Sequence, residues 1–222
     1  MKTNIILEDI SDGQRYDIHD MVKADTGGCN SCSACCHNVG DLVTLNPFDV
    51  YNITSHLGVT FDALLDDKIE LRLNGKLTLP HLKMQGDLGR CSFLDQADRC
   101  AIHAQRPNIC RLFPLGRVYE DDDFKYFLQK DACVKPHLSK VKIKHWIDID
   151  HYEANKAFIL SWYKLIKALN FRTKFIHDDE SLKELNTYLL DTFYRTSLKT
   201  DVSFYAAFNE RLPEAKNHLG IL

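Results

Sequence analysis

The stretch Cys29-Asn30-Ser31-Cys32-Ser33-Ala34-Cys35-Cys36 sets four cysteines in the pattern C-x2-C-x2-C-C. Two intervening residues let a tight loop turn successive sulfurs toward one centre. For that reason C-x2-C recurs in zinc knuckles, and C-x2-C-x2-C with a remote fourth cysteine in ferredoxin-type four-iron sites. Gly27 and Gly28 upstream, with the small Ser31, Ser33 and Ala34, suit such a loop: they permit unusual backbone angles and leave amides free to bond sulfur. Cys35 and Cys36 are adjacent, so their side chains are expected to diverge. The pair then bridges two sites, or serves one site with one member spare.

Working outward, the remaining cysteines sit in Cys91-Ser92-Phe93-Leu94, Cys100-Ala101-Ile102-His103, Arg106-Pro107-Asn108-Ile109-Cys110-Arg111-Leu112-Phe113-Pro114, and at Cys133. The turn-forming run Asp95-Gln96-Ala97-Asp98 between Cys91 and Cys100 predicts two strands that bring two thiols together. Pro107 opens a short helical turn around Cys110. Arg106 and Arg111 are the candidate cofactor-binding residues, expected to offset the charge of several thiolates and lower their pKa. The candidate metal ligands are thus Cys29, Cys32, Cys35, Cys36, Cys91, Cys100, Cys110 and Cys133, with Cys133 the least supported by its surroundings. His37 reads as an exposed loop histidine and His103 as a packing or hydrogen-bonding one.

All eight cysteines of the 222-residue chain fall before residue 134. The sequence therefore predicts a cysteine-cluster domain over residues 1–140 and a helical C-terminal segment over 141–222 packed on it. Asn46-Pro47-Phe48-Asp49 reads as a helix start that closes at Gly58, and a second helix is expected from Thr60 to Asp67. Ile69, Leu71 and Leu73, then Asn74-Gly75, then Leu77 and Leu79 predict a hairpin turning at Asn-Gly with both turn residues at positive φ. Another is expected over Gly116–Tyr119 and Phe124–Leu128. Lys140–Trp146 alternates like an edge strand or linker. Helices are predicted near 148–170, over Ser181–Leu198 and over Asp201–Arg211, their aromatics reading as core. The fold class is α+β, a small metal-centred domain of short helices and hairpins followed by helices.

With 45% hydrophobic and 27% charged residues the chain has material for a core, and its net charge of −3 gives no bulk attraction to nucleic acid or anionic membrane. No apolar run is long enough to span a bilayer, and the first residues make a poor signal peptide. The expected location is the cytoplasm, where clustered thiols favour metal or redox chemistry over disulfides. Buried, inert cysteines are the plain alternative for one or two of the eight. No dinucleotide, Walker, H-E-x-x-H or G-x-S-x-G motif is present, which disfavours a self-contained nucleotide-binding or hydrolytic enzyme.

Residues 29–36 and 91–114 resemble the YkgJ-type cysteine-cluster family, whose pattern runs C-x2-C-x2-C-C, C-x-x-L, C-x-I-[YH], R-P-x-x-C-R-x-F-P. This chain shows each element in order, with His103 where tyrosine is common. The resemblance implies a zinc- or iron-chelating domain, in members often described as iron–sulfur oxidoreductases. A related cluster occurs in the much longer flagellin lysine N-methylases. Three readings follow. One is an iron–sulfur protein, of the 4Fe-4S kind, with an electron-transfer or auxiliary role beside a redox partner. Another is a structural zinc module that scaffolds a protein partner. The third, by analogy alone, is a methyltransferase-like protein-modifying enzyme. The triple spacing favours iron–sulfur over zinc.

Overall fold

The computed structural model describes residues 7–27, 32–40, 42–196 and 203–221. The fold is α+β, as the sequence predicts. A helical turn, α1 (Leu7–Ile10), and a strand, β1 (Met21–Asp25), precede the cysteine loop. Two helices follow, α2 (Pro47–Leu57) and α3 (Phe61–Asp67). Then come the hairpin β2 (Ile69–Asn74) and β3 (Leu77–Leu82), and the small pair β4 (Met84–Gln85) and β5 (Arg90–Cys91). After the short helix α4 (Asn108–Leu112), β6 (Leu115–Tyr119) pairs antiparallel with β7 (Phe124–Leu128). The strand β8 (Ser139–Lys142) and the helix α5 (Ile143–Ile147) lead into α6 (Tyr152–Arg172), α7 (Asp179–Leu190) and α8 (Phe204–His218).

Local chemistry accounts for these boundaries. Asn46 and Asp49 form a reciprocal capping box at the start of α2: Asn46 Oδ1 accepts from Asp49 N and Asp49 Oδ2 accepts from Asn46 N, each at 3.0 Å. Pro47 takes the first helical position, and Gly58 closes the helix at φ 68°. Thr60 Oγ1 accepts from Ala63 N and caps α3. The β2–β3 hairpin forms where expected, but its turn lies one residue later. Asn74 pairs with Leu77, so Gly75-Lys76 is the two-residue loop and Gly75 carries the positive φ of 66°. A glycine at the first loop position is what a II′ turn requires, and the I′ turn through Asn74 is not used.

Two further expectations shift. Lys140–Trp146 divides into the end of β8 and the helix α5. Its strand pairs with β1, which the sequence reading missed because only Val22 and Ala24 mark its buried face. The helix α7 starts earlier than Ser181, because Asp178 Oδ1 accepts from Ser181 N at 2.7 Å, and it continues into a wider turn over Asp191–Arg195. The predicted end at Leu198 lies outside the described residues, as does the predicted start of α8 at Asp201. α8 itself runs past Arg211 and through Pro213 to His218.

One continuous core joins the cysteine-bearing stretch to the C-terminal helices. Phe48 of α2 stacks on Tyr205 at 5.2 Å and meets Phe204 edge-on at 5.1 Å, while Phe158 meets Phe208 edge-on at 4.8 Å. Such pairs contribute about 1 kcal/mol each beyond their burial. Polar ties lie beside them. Tyr194 donates to Leu45 O at 3.0 Å, and Asn186 Oδ1 accepts from Thr78 N at 2.6 Å while its amide donates to Lys76 O. The aromatics of the C-terminal helices are core, as read.

Candidate metal centre

The cysteine loop re-enters the described chain at Cys32, and a single turn of 3-10 helix, Ala34–Cys36, carries the vicinal pair. Cys36 N donates to Ser33 O at 2.8 Å, and the His37 ring contacts the same carbonyl through Nδ1 at 2.9 Å. The two thiols of the pair act on each other, Cys36 lowering the pKa of Cys35 and Cys35 raising that of Cys36. Cys29 lies outside the described residues.

The loop is stitched to β5. His37 bridges Arg90, and Asn38 N donates to Gly89 O at 2.8 Å. Here glycine is needed: Gly89 has φ 54°, and a Cβ on it would lie 2.1 Å from Asn38 Oδ1. Cys91, at the end of β5, is buried. Leu94 then bridges Cys100, and Ala101 N donates to Phe93 O, so the Asp95–Asp98 turn returns Cys100 to the stretch after Cys91 through an isolated bridge and not through the second strand expected. Arg90 closes that turn from outside, donating to Asp98 Oδ1 and to the carbonyls of Leu94 and Asp95.

Cys110 sits on α4, and a side chain from α2 fixes that turn. Asp49 Oδ1 accepts from Asn108 N at 2.8 Å and from Asn108 Nδ2 at 3.0 Å. Asp49 is 2% exposed, so a charged group is held in the interior beside the thiols. Burial raises its pKa to about 6, against the hydrogen bonds and the charge of Arg117. The sequence reading saw Asp49 only as part of a helix start. Nothing local signals that one of its oxygens reaches Asn108.

Electrostatics define which thiols belong together. Burial, followed by the charges of Cys91, Asp49, Cys100 and Cys35, pushes the Cys110 thiol well up. Cys100 and Cys91 are raised too, by burial first, and each feels Cys35. Cys36 is raised by its bond to Cys35, by burial, and by Cys91 and Cys110. Cys35, exposed at the rim, is lowered to about 6, chiefly by the hydrogen bond from Cys36 and further by Arg106 and His37. Cys35, Cys36, Cys91, Cys100 and Cys110 therefore form one group of interacting sulfurs.

The two arginines play different parts. Arg106 donates to His103 O at 2.7 Å, and its charge reaches Cys35 and Cys100. Arg111 turns elsewhere, donating to the carbonyls of Ile147, Asp148 and Ala104. The expected lowering of the Cys110 pKa is therefore reversed, because that sulfur is buried among other sulfurs and a carboxylate. His103 is exposed, and among the described residues its ring is met by Arg106. His81, which the sequence reading passed over, is buried between Thr44 and Gly40.

Cys32 and Cys133, together with Cys35, line a cavity of about 80 Å3 beside Phe113, Pro114 and Trp146. Trp146 is fixed there by donating to Phe113 O at 3.2 Å. All seven described cysteines are free thiols. Among the described residues, no three His, Cys, Asp or Glu side chains are drawn into single-ion geometry. The donor set is nonetheless all sulfur, gathered on one site, and it suits a soft metal or a metal–sulfide cluster.

No curated protein and no solved structure matches the chain. No helix among the described residues is long and apolar enough to cross a membrane. A family model does match: residues 28–134, just under half the chain, fit CxxCxxCC, described as a putative zinc- or iron-chelating domain. That span covers all eight cysteines and the turn that Asp49 holds. Over residues 28–134 the chain is thus similar to the CxxCxxCC family, in line with the resemblance its motifs carry.

Proposed function

We propose that this domain holds an iron–sulfur cluster, of the four-iron kind, and serves a redox or auxiliary role for a protein partner in the cytoplasm. The ligands would come from the group Cys35, Cys36, Cys91, Cys100 and Cys110, with Cys32 and Cys133 at its edge. One observation carries the reading. Five thiols share one electrostatic neighbourhood, one more than the four ligands that close a structural zinc site.

The chain's own groups support that role. Arg106 supplies positive charge beside Cys35 and Cys100. Asp49 and Asn108 fix the turn that carries Cys110, and Gly89 lets the cysteine loop close on β5. When bound, the cluster would supply one-electron chemistry. Purification without oxygen, a visible spectrum, and assays of iron, zinc and acid-labile sulfide test the proposal. Brown protein with sulfide and iron in like amounts is expected. Colourless protein with stoichiometric zinc and no sulfide would overturn it in favour of a structural zinc module.

A further inference from the structure

The cavity beside Cys32, Cys35 and Cys133 adjoins a larger one. The second, of about 410 Å3, lies against Lys23, Lys130, Lys135 and His137, with Asp12 and Asp131. Pro114, Ala132, Cys133 and Lys135 line both, so the two lie side by side and are taken together as one trough. At one end the walls are Phe113, Pro114 and the indole of Trp146. At the other, lysines predominate. Asp12 is already engaged by Tyr16 Oη and Gln14 N. Among the described residues the ammonium groups of Lys23 and Lys130 have no partner.

We infer that this trough binds a small organic anion, its acid group between Lys23 and Lys130 and its apolar body against Trp146 and Phe113. A cavity with an apolar, aromatic end and a few convergent charges is the usual form of a small-molecule site. Each end excludes a simpler occupant. A bare phosphate leaves the Trp146 end unfilled, and a neutral apolar molecule leaves the lysines unanswered. The ligand would lie beside Cys32 and Cys35, at the edge of the proposed centre. The inference goes beyond that reading and holds whichever metal the domain carries.

The test uses the full chain with Trp162→Phe, which leaves Trp146 as its sole tryptophan, and anilinonaphthalene sulfonate as probe. Binding is expected to quench Trp146 emission. Affinity should fall about tenfold or more in Lys23→Glu/Lys130→Glu and stay near wild type in the matching Lys→Arg pair, the loss expected for charge-assisted contacts. The uncharged parent, phenylnaphthylamine, tests the same point without the lysine variants and should bind about tenfold more weakly than the sulfonate. No binding, an unchanged affinity in the glutamate pair, equal affinity for the uncharged parent, or binding that leaves Trp146 emission unaltered would each overturn the inference. Iron and zinc measured on the same samples separate loss of the trough from failure of the metal reading.

Discussion

Asp49 grips Asn108 through two hydrogen bonds to one carboxylate oxygen, although 59 positions separate them in the chain. The other oxygen caps α2 through Asn46 N. A single buried carboxylate thus sets both the start of a helix and the turn that presents Cys110.

Asp49→Ala removes the acceptor for three N–H groups, two of them on buried Asn108. Stability should fall by about 3 kcal/mol, measured by urea unfolding, and metal content per chain should fall with it. A loss below about 1 kcal/mol would show that the clamp does not hold the turn.

The same residue gives a pH signature. Burial raises the Asp49 pKa from 3.8 to about 6. The unfolded chain loses this proton first as pH rises, so the folded state binds more protons between about pH 4 and 6. Stability from this group is therefore present below pH 4 and is lost as pH rises through 6, by roughly 3 kcal/mol. Asp49→Asn has no such proton to lose. Urea midpoints at the two ends of that window should differ less in the variant than in wild type, and an unchanged difference would assign the slope to other groups.

How much of this could be read from the amino acids alone divides along a physical line. Signals carried within a few residues were legible: the Asn46-Pro47 start, the Gly58 stop, the Ile69–Leu82 hairpin and the turn between Cys91 and Cys100. Features set by distant partners were not. The hairpin turn slides to Gly75-Lys76 because register is fixed by both strands, and β1 is visible only once β8 is placed beside it. At the centre, the sequence names the cysteines, but which of them feel one another is set by the fold: Cys36 is influenced by Cys91 and Cys110, and Arg111 is drawn away by carbonyls of a later helix.

Serine substitutions should rank the thiols. Cys35→Ser, Cys91→Ser and Cys110→Ser are expected to lose nearly all bound metal, since each removes a sulfur from the interacting group. Cys133→Ser should keep about half or more, as it lies across the cavity instead. Metal analysis of the purified variants checks this, and equal loss in all four would reject the grouping.

Gly89→Ala places a methyl group against Asn38 and forces an alanine to positive φ. The loop exit must move off β5, with a stability loss of about 1–2 kcal/mol and weaker metal retention. Thermal unfolding and metal content report both. An alanine variant that matches wild type in each would show that the loop does not depend on this approach.

Phe48 and Asp49 are neighbours on the first turn of α2, one leaning on Phe204 and Tyr205, the other reaching Asn108. Cutting the chain after its last cysteine would strip the aromatic wall from Phe48, bare the Leu45 carbonyl that Tyr194 covers, and leave the same short helix to hold Cys110 with nothing behind it. The motif-bearing stretch thus borrows its rigidity from residues that contain no cysteine at all. An excised fragment would keep every sulfur and lose the backing that keeps them in place.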